Sequence, residues 1–384
     1  MVKKAESKAA KKNKYEKLFS PIAINKMELE NRIVMAPAHE GLAHGGFCTP
    51  EYSDYYLRRA EGGAAMIVLG ALAVNPRPFP APRLSGDEYV PGYKEMVARI
   101  HKKTNCKIIP QLYDFVKAAR GWRMDINDYP AEDIPKVIDY FEAGALRARE
   151  CGFDGVEIHA AHGVLLADFL SLKNTRKDEY GGKKLENRMR FTVEVYERMR
   201  KALGKNYPIG IRINGDEFII GGTTMVQSTA TAAKLAELGL DYISVSVGGK
   251  YNDSYGTDPW GLTFPYPPWG GYSGFRCMPE IYMPEATNIY IAEAIRKAVR
   301  KAGYKTPIMG AGRITTPDLA ERLLQEERID LAGVCRQIIR DPDWPKKAKE
   351  GRAKEIKKCA YCNNCIETAT VGPGGYCKLQ KEKE

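Results

Sequence analysis

Eight short apolar runs rich in β-forming residues recur along this chain, with amphipathic stretches of helical periodicity between them. The predicted strands are 32–36, 66–69, 107–111, 155–159, 209–213, 242–247, 307–309 and 329–334, and the clearest helices are 134–150, 185–203, 227–238 and 289–302. Near-continuous apolar strands are typical of a parallel sheet buried on both faces, and their alternation with helices indicates βα units. Eight such units predict an α/β fold of the closed (β/α)8 TIM barrel type, with a doubly wound open sheet as the alternative.

Positive charge is concentrated at the two ends of the chain. The formal net charge is +11, and residues 1–17 hold seven Lys against two Glu, while residues 346–384 hold ten Lys or Arg against five Glu. The body between them is nearly neutral and has no basic groove with interleaved aromatics, which argues against nucleic-acid binding. We predict a basic disordered tail at 1–14, a barrel at 15–345 and a C-terminal extension at 346–384.

The cellular location follows from what the sequence lacks. The longest apolar stretch, 62–74, is interrupted by glycine and is interpreted as a buried strand rather than a membrane span. The first residues contain no apolar core of a signal peptide. Nine cysteines without a secretory signal indicate a reducing compartment and free thiols. These features predict a cytoplasmic protein.

Four of the nine cysteines lie within 19 residues near the C-terminus: Cys359, Cys362, Cys365 and Cys377. The first three form a CxxCxxC run, and the fourth follows after eleven more residues. Cubane iron–sulfur clusters take four thiolate ligands, often three close together and one distant. Structural zinc, the alternative, usually uses two CxxC pairs. The spacing therefore predicts that the extension binds a [4Fe-4S] cluster.

Polar, glycine-rich and titratable residues follow the predicted strands, where the chemistry of such barrels is located. Gly312-Arg313 and Cys335-Arg336 follow the last two strands, which often supply a phosphate site. His159 ends a strand, and His162 is close behind it; we interpret them as a pair of imidazole donors for a substrate oxygen. Metal binding and a buried core histidine are the alternatives.

The stretch 248–287 is a long connection rich in Gly, Pro, Tyr and Trp. Long loops of this kind are usually functional or disordered, and the aromatic content argues against disorder. We interpret it as a wall of the substrate pocket, with a subunit contact as the alternative. Its aromatic residues include Tyr255, Trp260, Phe264, Tyr266, Trp269 and Tyr272.

Several specific stretches together resemble the old yellow enzyme family. They are NRIVMAPA at 31–38, GFDGVEIHAAHG at 152–163, NTRKDEYGG at 174–182, ENRMRF at 186–191 and DLAGVCRQIIRDP at 330–342. The resemblance extends over residues 15–352. The C-terminal cysteines place the chain nearer the branch of 2,4-dienoyl-CoA reductase, 2-enoate reductase and trimethylamine dehydrogenase, enzymes that combine FMN with a [4Fe-4S] cluster.

The resemblance implies a role for each residue at the strand ends. Residues expected to line the flavin are Ala36, Pro37, Ala38, His39, Gly70 and Ala71. Gln111 and Arg212 would hold the isoalloxazine, because the Gln amide matches the pyrimidine edge and Arg would stabilise negative charge near N1 and O2. Residues expected at the phosphate are Gly312, Arg313, Cys335 and Arg336. His159 and His162 would bind a substrate carbonyl.

Three departures from the family pattern bear on function. Val164 stands where a proton-donating tyrosine is common, and residues 114–117 replace the usual HAGR segment. The chain stops seven residues after Cys377 and contains no GxGxxG fingerprint of the FAD- and NAD(P)H-binding domains found in larger relatives. Either the proton donor is another group, with Tyr113 and the tyrosines of 248–287 as candidates, or it is solvent, or the chemistry differs from that of the family.

The resulting prediction is an ene-reductase acting on the C=C bond of an α,β-unsaturated carbonyl or enoyl-CoA thioester. Electrons would enter through the cluster from a separate, acidic donor protein docked on the basic C-terminal segment, in a homo-oligomer or hetero-complex. The first alternative is an amine dehydrogenase of the trimethylamine dehydrogenase type, with Trp260 and Trp269 forming a cation cage. It ranks second because His39 lies near the place of that branch's flavin-linked cysteine, and Cys48 lies further on. The other alternative is a non-catalytic electron-transfer subunit.

Overall fold

The computed structural model describes residues 13–76, 81–115, 124–251, 267, 270–372 and 374–379. Eight parallel strands close into a barrel. They are β3 (Ile33–Met35), β4 (Met66–Ala73), β5 (Lys107–Tyr113), β6 (Val156–Ala160), β7 (Ile209–Asn214), β8 (Tyr242–Ser246), β9 (Ile308–Ala311) and β10 (Leu331–Val334), with β10 paired to β3. The predicted barrel is confirmed and the open-sheet alternative is wrong.

Helices lie between the barrel strands and beyond them. They are α1 (Pro50–Glu61), α2 (Val90–Lys103), α3 (Ile134–Glu150), α4 (Leu165–Leu170), α5 (Leu185–Leu203), α6 (Met225–Glu237), α7 (Tyr272–Cys277), α8 (Ile289–Lys301), α9 (Pro317–Gln325), α10 (Arg336–Arg340), α11 (Trp344–Lys349) and α12 (Asn364–Val371). Helix α1 begins after Thr49, whose side chain accepts a hydrogen bond from the Tyr52 N–H at 3.0 Å. Such caps satisfy a free N–H of the first turn.

A small hairpin closes one end of the barrel. Strands β1 (Ile22–Ile24) and β2 (Met27–Leu29) pair antiparallel outside the barrel. Their apolar side chains pack in one buried group with residues near the beginnings of the barrel strands, such as Val34, Met66 and Leu331. Burying this apolar surface stabilises the fold. The hairpin therefore covers the end of the barrel opposite the rim on which the predicted site residues lie.

A bulge interrupts the pairing of β4 with β5. Leu69 pairs with Pro110 and Leu72 with Leu112, so Gly70 and Ala71 stand opposite one residue of β5. A Cβ atom at Gly70 would lie 2.3 Å from the Ala38 carbonyl oxygen, and only glycine avoids that overlap. The bulge thus brings the ends of β3 and β4 into close contact, as bulges beside binding sites often do.

Residues 1–12 of the predicted N-terminal tail lie outside the described residues, and so do residues 252–266, 268 and 269 of the aromatic connection. Val116 and Lys117 lie outside them as well, and so do Tyr255, Trp260, Phe264, Tyr266 and Trp269. Among the helices that are described, none has the length and apolar character needed to cross a membrane. The division into tail, barrel and extension stays a prediction.

Candidate active site

The two histidines singled out in the sequence lie against each other at the rim. His159 belongs to β6, and His162 follows it with φ +57°, so the chain turns sharply between them. Their ring centroids are 5.1 Å apart and the rings are inclined by 73°. Gly249 packs beside them, because a Cβ atom there would lie 3.1 Å from the His162 Cβ. The backbone therefore holds both imidazoles on the same side of the barrel mouth.

Arg212 and a serine tie His162 to the neighbouring strands. The Ser246 Oγ lies 2.6 Å from the His162 Nε2, and the Arg212 Nη2 donates to the same oxygen at 3.2 Å. Burial lowers the pKa of both His159 and His162 well below the usual value, and the positive charge of Arg212 acts in the same direction. Both imidazoles are thus neutral at pH 7, and each has one N–H to donate.

Gln111 is held by a buried carboxyl group. Its Nε2 donates to the Glu157 Oε1 at 2.6 Å, and the Tyr242 hydroxyl donates to the Glu157 Oε2 at 2.8 Å. Burial raises the pKa of Glu157, and Arg212, Tyr242 and Gln111 oppose that shift. The contact fixes the orientation of the Gln111 amide and leaves its carbonyl oxygen directed elsewhere.

The predicted phosphate residues lie at the ends of the adjacent strands β9 and β10. Gly312 and Arg313 follow β9, both with positive φ, and Cys335 precedes α10, which begins at Arg336. The Arg313 Nη1 donates to the Glu280 carbonyl at 2.6 Å, and the Arg336 Nη1 donates to the Pro279 carbonyl at 2.9 Å. Both arginines therefore face the segment that precedes α8.

The flavin-lining residues predicted on β3 lie at the same rim. The Ala36 N–H donates to the Val334 carbonyl at 3.3 Å, which places the end of β3 beside the end of β10. Pro37 and Ala38 are partly buried and His39 is exposed. Ala38 contacts Gly70 as described above. The structure thus brings the residues predicted from seven separate strands to one end of the barrel.

Several buried donors at this rim have no hydrogen-bond partner within the described residues. They are the Arg212 Nε and Nη1, the His159 Nδ1, the Asn214 Nδ2 and the Arg313 Nε. Buried donors left without an acceptor are costly, so such a set indicates a polar ligand. Cationic groups among them suit an anionic or electron-rich ligand, and the residues therefore fit FMN.

The C-terminal thiols lie near enough to one another to affect each other's pKa. Burial raises the pKa of Cys359, and the nearby Cys377 and Cys362 thiols act in the same direction. Burial likewise raises the pKa of Cys365 to about 12, with Cys335 and Cys359 close enough to contribute. The donor set suits an iron–sulfur cluster. In the described part of the chain, however, no three potential ligands converge into a formed metal site, and the cluster stays a prediction.

Val164, at the family's tyrosine position, is buried in an apolar group with Tyr113 and Ala167. The Tyr113 ring lies 6.5 Å from the His159 ring. Burial raises the pKa of Tyr113, so its phenol is protonated at neutral pH. Of the tyrosines considered from the sequence, Tyr113 thus packs beside the histidine pair, and Tyr251 is near enough to raise its pKa further.

Cys48 lies away from the rim. Its Sγ is 3.8 Å from the Met96 Sδ in α2. Its Cβ packs against Gly92 of the same helix, where an added Cβ atom would lie 3.2 Å from it. Burial raises the pKa of the Cys48 thiol to about 12. A protonated thiol that faces a surface helix is poorly placed for covalent attachment to a cofactor at the barrel mouth.

Three polar residues of the site were missed in the sequence: Ser246, Asn214 and Glu157. Asn214 accepts from the His162 N–H at 3.4 Å, and the other two contacts are described above. Side chains alternate between the two faces of a strand, so Tyr242, Ser244 and Ser246 point to the same face of β8. Following this alternation along the sequence would have identified Ser246. The same alternation relates Asn214 to Arg212, and Glu157 to His159.

Comparison with known families identifies relatives over most of the chain. The sequence profile of the NADH:flavin oxidoreductase / NADH oxidase family matches residues 17–129, 126–252 and 279–355. The NADH oxidase of Thermoanaerobacter brockii is 33% identical over 387 residues, which covers 92% of this chain and 54% of that protein.

Two solved structures are similar to this chain over most of its length. A complex of 2-naphthoyl-CoA reductase with 2-naphthoyl-CoA has a TM-score of 0.77 at 26% identity, covering 91% of this chain and 54% of that one. Histamine dehydrogenase from Rhizobium sp. 4-9 has a TM-score of 0.78 at 27% identity, covering 95% and 52%. The chain spans about half the length of each of these three proteins.

Proposed function

Because this chain belongs to the NADH:flavin oxidoreductase / NADH oxidase family, we propose that it is an FMN- and iron–sulfur-dependent ene-reductase. Its substrate would be an α,β-unsaturated carbonyl compound or an enoyl-CoA thioester. The observation that carries this proposal is the pair of neutral imidazoles at one rim, beside buried donors that have no partner among the described residues. The similarity to 2-naphthoyl-CoA reductase, whose structure holds an aromatic acyl-CoA, supports the substrate class.

The histidine pair binds and polarises the substrate oxygen. A carbonyl oxygen accepts hydrogen bonds from His159 and His162, and these bonds strengthen as negative charge develops on that oxygen. Neutral imidazoles are suited to this role because each donates a hydrogen bond while the proton stays on its ring nitrogen. Ser246 fixes the ring of His162 through its 2.6 Å contact with Nε2, which limits the rotation of that ring.

Bound FMN would supply hydride from N5 to the β carbon of the substrate. Gln111 and Arg212 would hold its ring, and the donors of Arg212 that lack partners would face its pyrimidine side. Arg313 and Arg336 would bind its phosphate by charge-assisted hydrogen bonds. Gly70 and Ala71 would lie beside the ring, because the bulge places them at the rim.

Reduction of the C=C bond also requires a proton at the α carbon. We assign its delivery to Tyr113, which packs against Val164 and lies 6.5 Å from the His159 ring. A buried phenol with a raised pKa keeps its proton until a strongly basic carbon centre forms beside it. This assignment gives the chain a proton donor despite the valine at position 164.

The iron–sulfur cluster, held by Cys359, Cys362, Cys365 and Cys377, would carry single electrons. Cys362 is exposed, and exposed lysines precede the run of cysteines, including Lys354, Lys357 and Lys358. A surface of this charge next to an exposed cluster ligand favours an acidic electron carrier. We therefore propose electron entry at this surface.

Anaerobic re-oxidation of the reduced flavin tests the proposal. The panel contains an α,β-unsaturated carboxylate, an aromatic enoyl-CoA thioester and a cyclic enone. Flavin absorbance is followed by stopped-flow spectroscopy after each compound is mixed with the reduced protein. We expect at least one compound to re-oxidise the flavin. His159→Ala together with His162→Ala should slow that step about 100-fold or more, and Tyr113→Phe should slow it about 100-fold.

His101→Ala is the matched control, because His101 pairs with Asp154 on the outside of the barrel and should leave the rate unchanged. Flavin that is reduced by small amines, and re-oxidised by none of the unsaturated compounds, would contradict the ene-reductase proposal and favour an amine dehydrogenase.

A further inference from the structure

Tyr361 occupies a conformation that is unusual for its side chain. It lies between Cys359 and Cys362 and has φ +51°, in the left-handed region. Residues with a Cβ atom pay about 1–2 kcal/mol for this conformation. Only 4% of Tyr361 is exposed, so its ring is enclosed although the neighbouring Cys362 is exposed. A contact of this ring must therefore offset the backbone cost.

That contact is with both predicted phosphate arginines. The Arg313 Cζ lies 4.7 Å from the centroid of the Tyr361 ring, and the Arg336 Cζ lies 4.8 Å from it. Guanidinium groups over an aromatic face are attracted by the ring electrons, more strongly when they are shielded from water. A single side chain in the cysteine loop thus holds the two cations that follow β9 and β10.

The loop is attached to the same region at a second point. The Asn363 Oδ1 accepts from the Arg336 Nη1 at 2.6 Å, and the Asn363 Nδ2 donates to the Met278 carbonyl at 2.9 Å. On the other side, the Tyr361 N–H donates to the Cys359 Sγ at 3.3 Å. A continuous series of contacts therefore joins a cluster thiol to the guanidinium groups.

We propose that Tyr361 is a positioning residue that couples the iron–sulfur site to the flavin phosphate site. The inference rests on the proposed cofactors. With the four thiolates held together, the loop keeps the Tyr361 ring under Arg313 and Arg336, and both cations stay in place for the phosphate. Without the cluster the loop loosens and the arginines lose this contact. Because coupling free energies are reciprocal, bound FMN also strengthens retention of the cluster.

The test measures FMN affinity with and without the cluster. Calorimetric titration of FMN is carried out anaerobically on flavin-free protein, first with the cluster intact and then after its removal by oxidation and chelation. We expect wild-type protein to bind FMN about fivefold or more weakly once the cluster is removed. Tyr361→Phe keeps the ring and should behave as wild type.

Tyr361→Gly removes the ring but suits the left-handed backbone, so the protein should fold normally. Its FMN affinity should be low in both states and nearly independent of the cluster. The reciprocal readout is the rate at which the iron of the cluster is released to a chelator, which FMN should slow in wild-type protein and not in the glycine variant.

Equal FMN affinity of wild-type protein in both states would overturn this inference alone, as would an unchanged cluster dependence in Tyr361→Gly with a circular dichroism spectrum like that of wild type. Failure of wild-type protein to bind FMN or to assemble a cluster would overturn the proposed function and this inference together.

Discussion

At the scale of single residues, Glu40 carries a buried carboxyl group. It packs beside Gly70, below the rim of the barrel. Burial raises the pKa of Glu40 to about 7, while Tyr52, Tyr56 and Arg59 oppose that shift. The group therefore changes its charge near neutral pH, inside the fold.

We expect Glu40→Gln to stabilise the protein at alkaline pH. The folded-state pKa lies above the unfolded value, so the folded state keeps a proton that the unfolded state releases, and stability falls as pH rises from about 4.5 to 7. The amide removes this loss, with a gain of up to about 3 kcal/mol at pH 8 and none at pH 4. Urea unfolding at several pH values measures it, with the exposed Glu132→Gln as control. Parallel pH profiles of Glu40→Gln and wild type would contradict the prediction.

Lys250 forms a second buried charged group. It is 2% exposed, its Nζ bonds the Asp168 carboxylate and lies 3.2 Å from the Glu217 Oε1. Lys250→Met leaves two carboxylates without their cation, so we expect a loss of about 3–5 kcal/mol of unfolding free energy. Lys234→Met, at an exposed pair with Glu237, should change the unfolding free energy little, because solvent screens an exposed ion pair. Equal losses of unfolding free energy in Lys250→Met and Lys234→Met would contradict the prediction that the buried ion pair matters more than the exposed one.

Individual site residues were predictable to the extent that they stand at strand ends. His159, Gln111 and Arg212 end apolar runs, so the sequence itself marks them. The contacts of Tyr361 were not predictable, because they join residues 25 and 48 positions apart and depend on how the C-terminal loop folds back over the barrel. No local pattern records such a contact.

At the scale of helices and strands, the cap of α9 offers a direct test. The Thr316 Oγ accepts from the Leu319 N–H at 3.1 Å, and Pro317 begins the helix. Thr316→Ala leaves that N–H without a partner and should cost about 1 kcal/mol of unfolding free energy. Thr316→Ser keeps the acceptor and should change it little. An alanine variant as stable as the serine variant, by urea unfolding, would argue against the cap.

Helix boundaries were easier to predict than strand ends. Helices α3 and α5 agree with the prediction at both ends, because their amphipathic pattern is long. Strand β4 was predicted to stop at residue 69, yet it continues through the bulge to Ala73. The hairpin β1–β2 was missed, although polar residues separate Ile24, Met27 and Leu29.

At the scale of the whole molecule, the charge distribution predicts how electrons arrive. Reduction of the cluster by an acidic electron carrier should slow as ionic strength rises, because screening weakens the attraction to the exposed lysines near Cys362. Lys357→Glu with Lys358→Glu should lower the second-order rate about tenfold. Lys201→Glu with Lys301→Glu, at the last turns of α5 and α8, should not. Stopped-flow rates that are independent of salt would contradict docking at this surface.

The family, the barrel and the direction of its strands were all predicted from the sequence and are confirmed. They were predictable because hydrophobic periodicity is local and repeats eight times. The substrate was not, since its pocket depends on side chains from separate connections, and residues 252–266 lie outside the described structure.

The bulge in β4 has a consequence for how this scaffold changes over time. Barrel closure is carried by the paired residues on either side of it, whereas Gly70 and Ala71 stand outside the regular ladder. Ala71 is partly exposed at the rim. The side chain at position 71 can therefore be exchanged, and the space at the rim widened or narrowed, while the strand register stays fixed. One position of β4 can thus vary with the ligand, while the paired residues of the same strand keep the barrel closed.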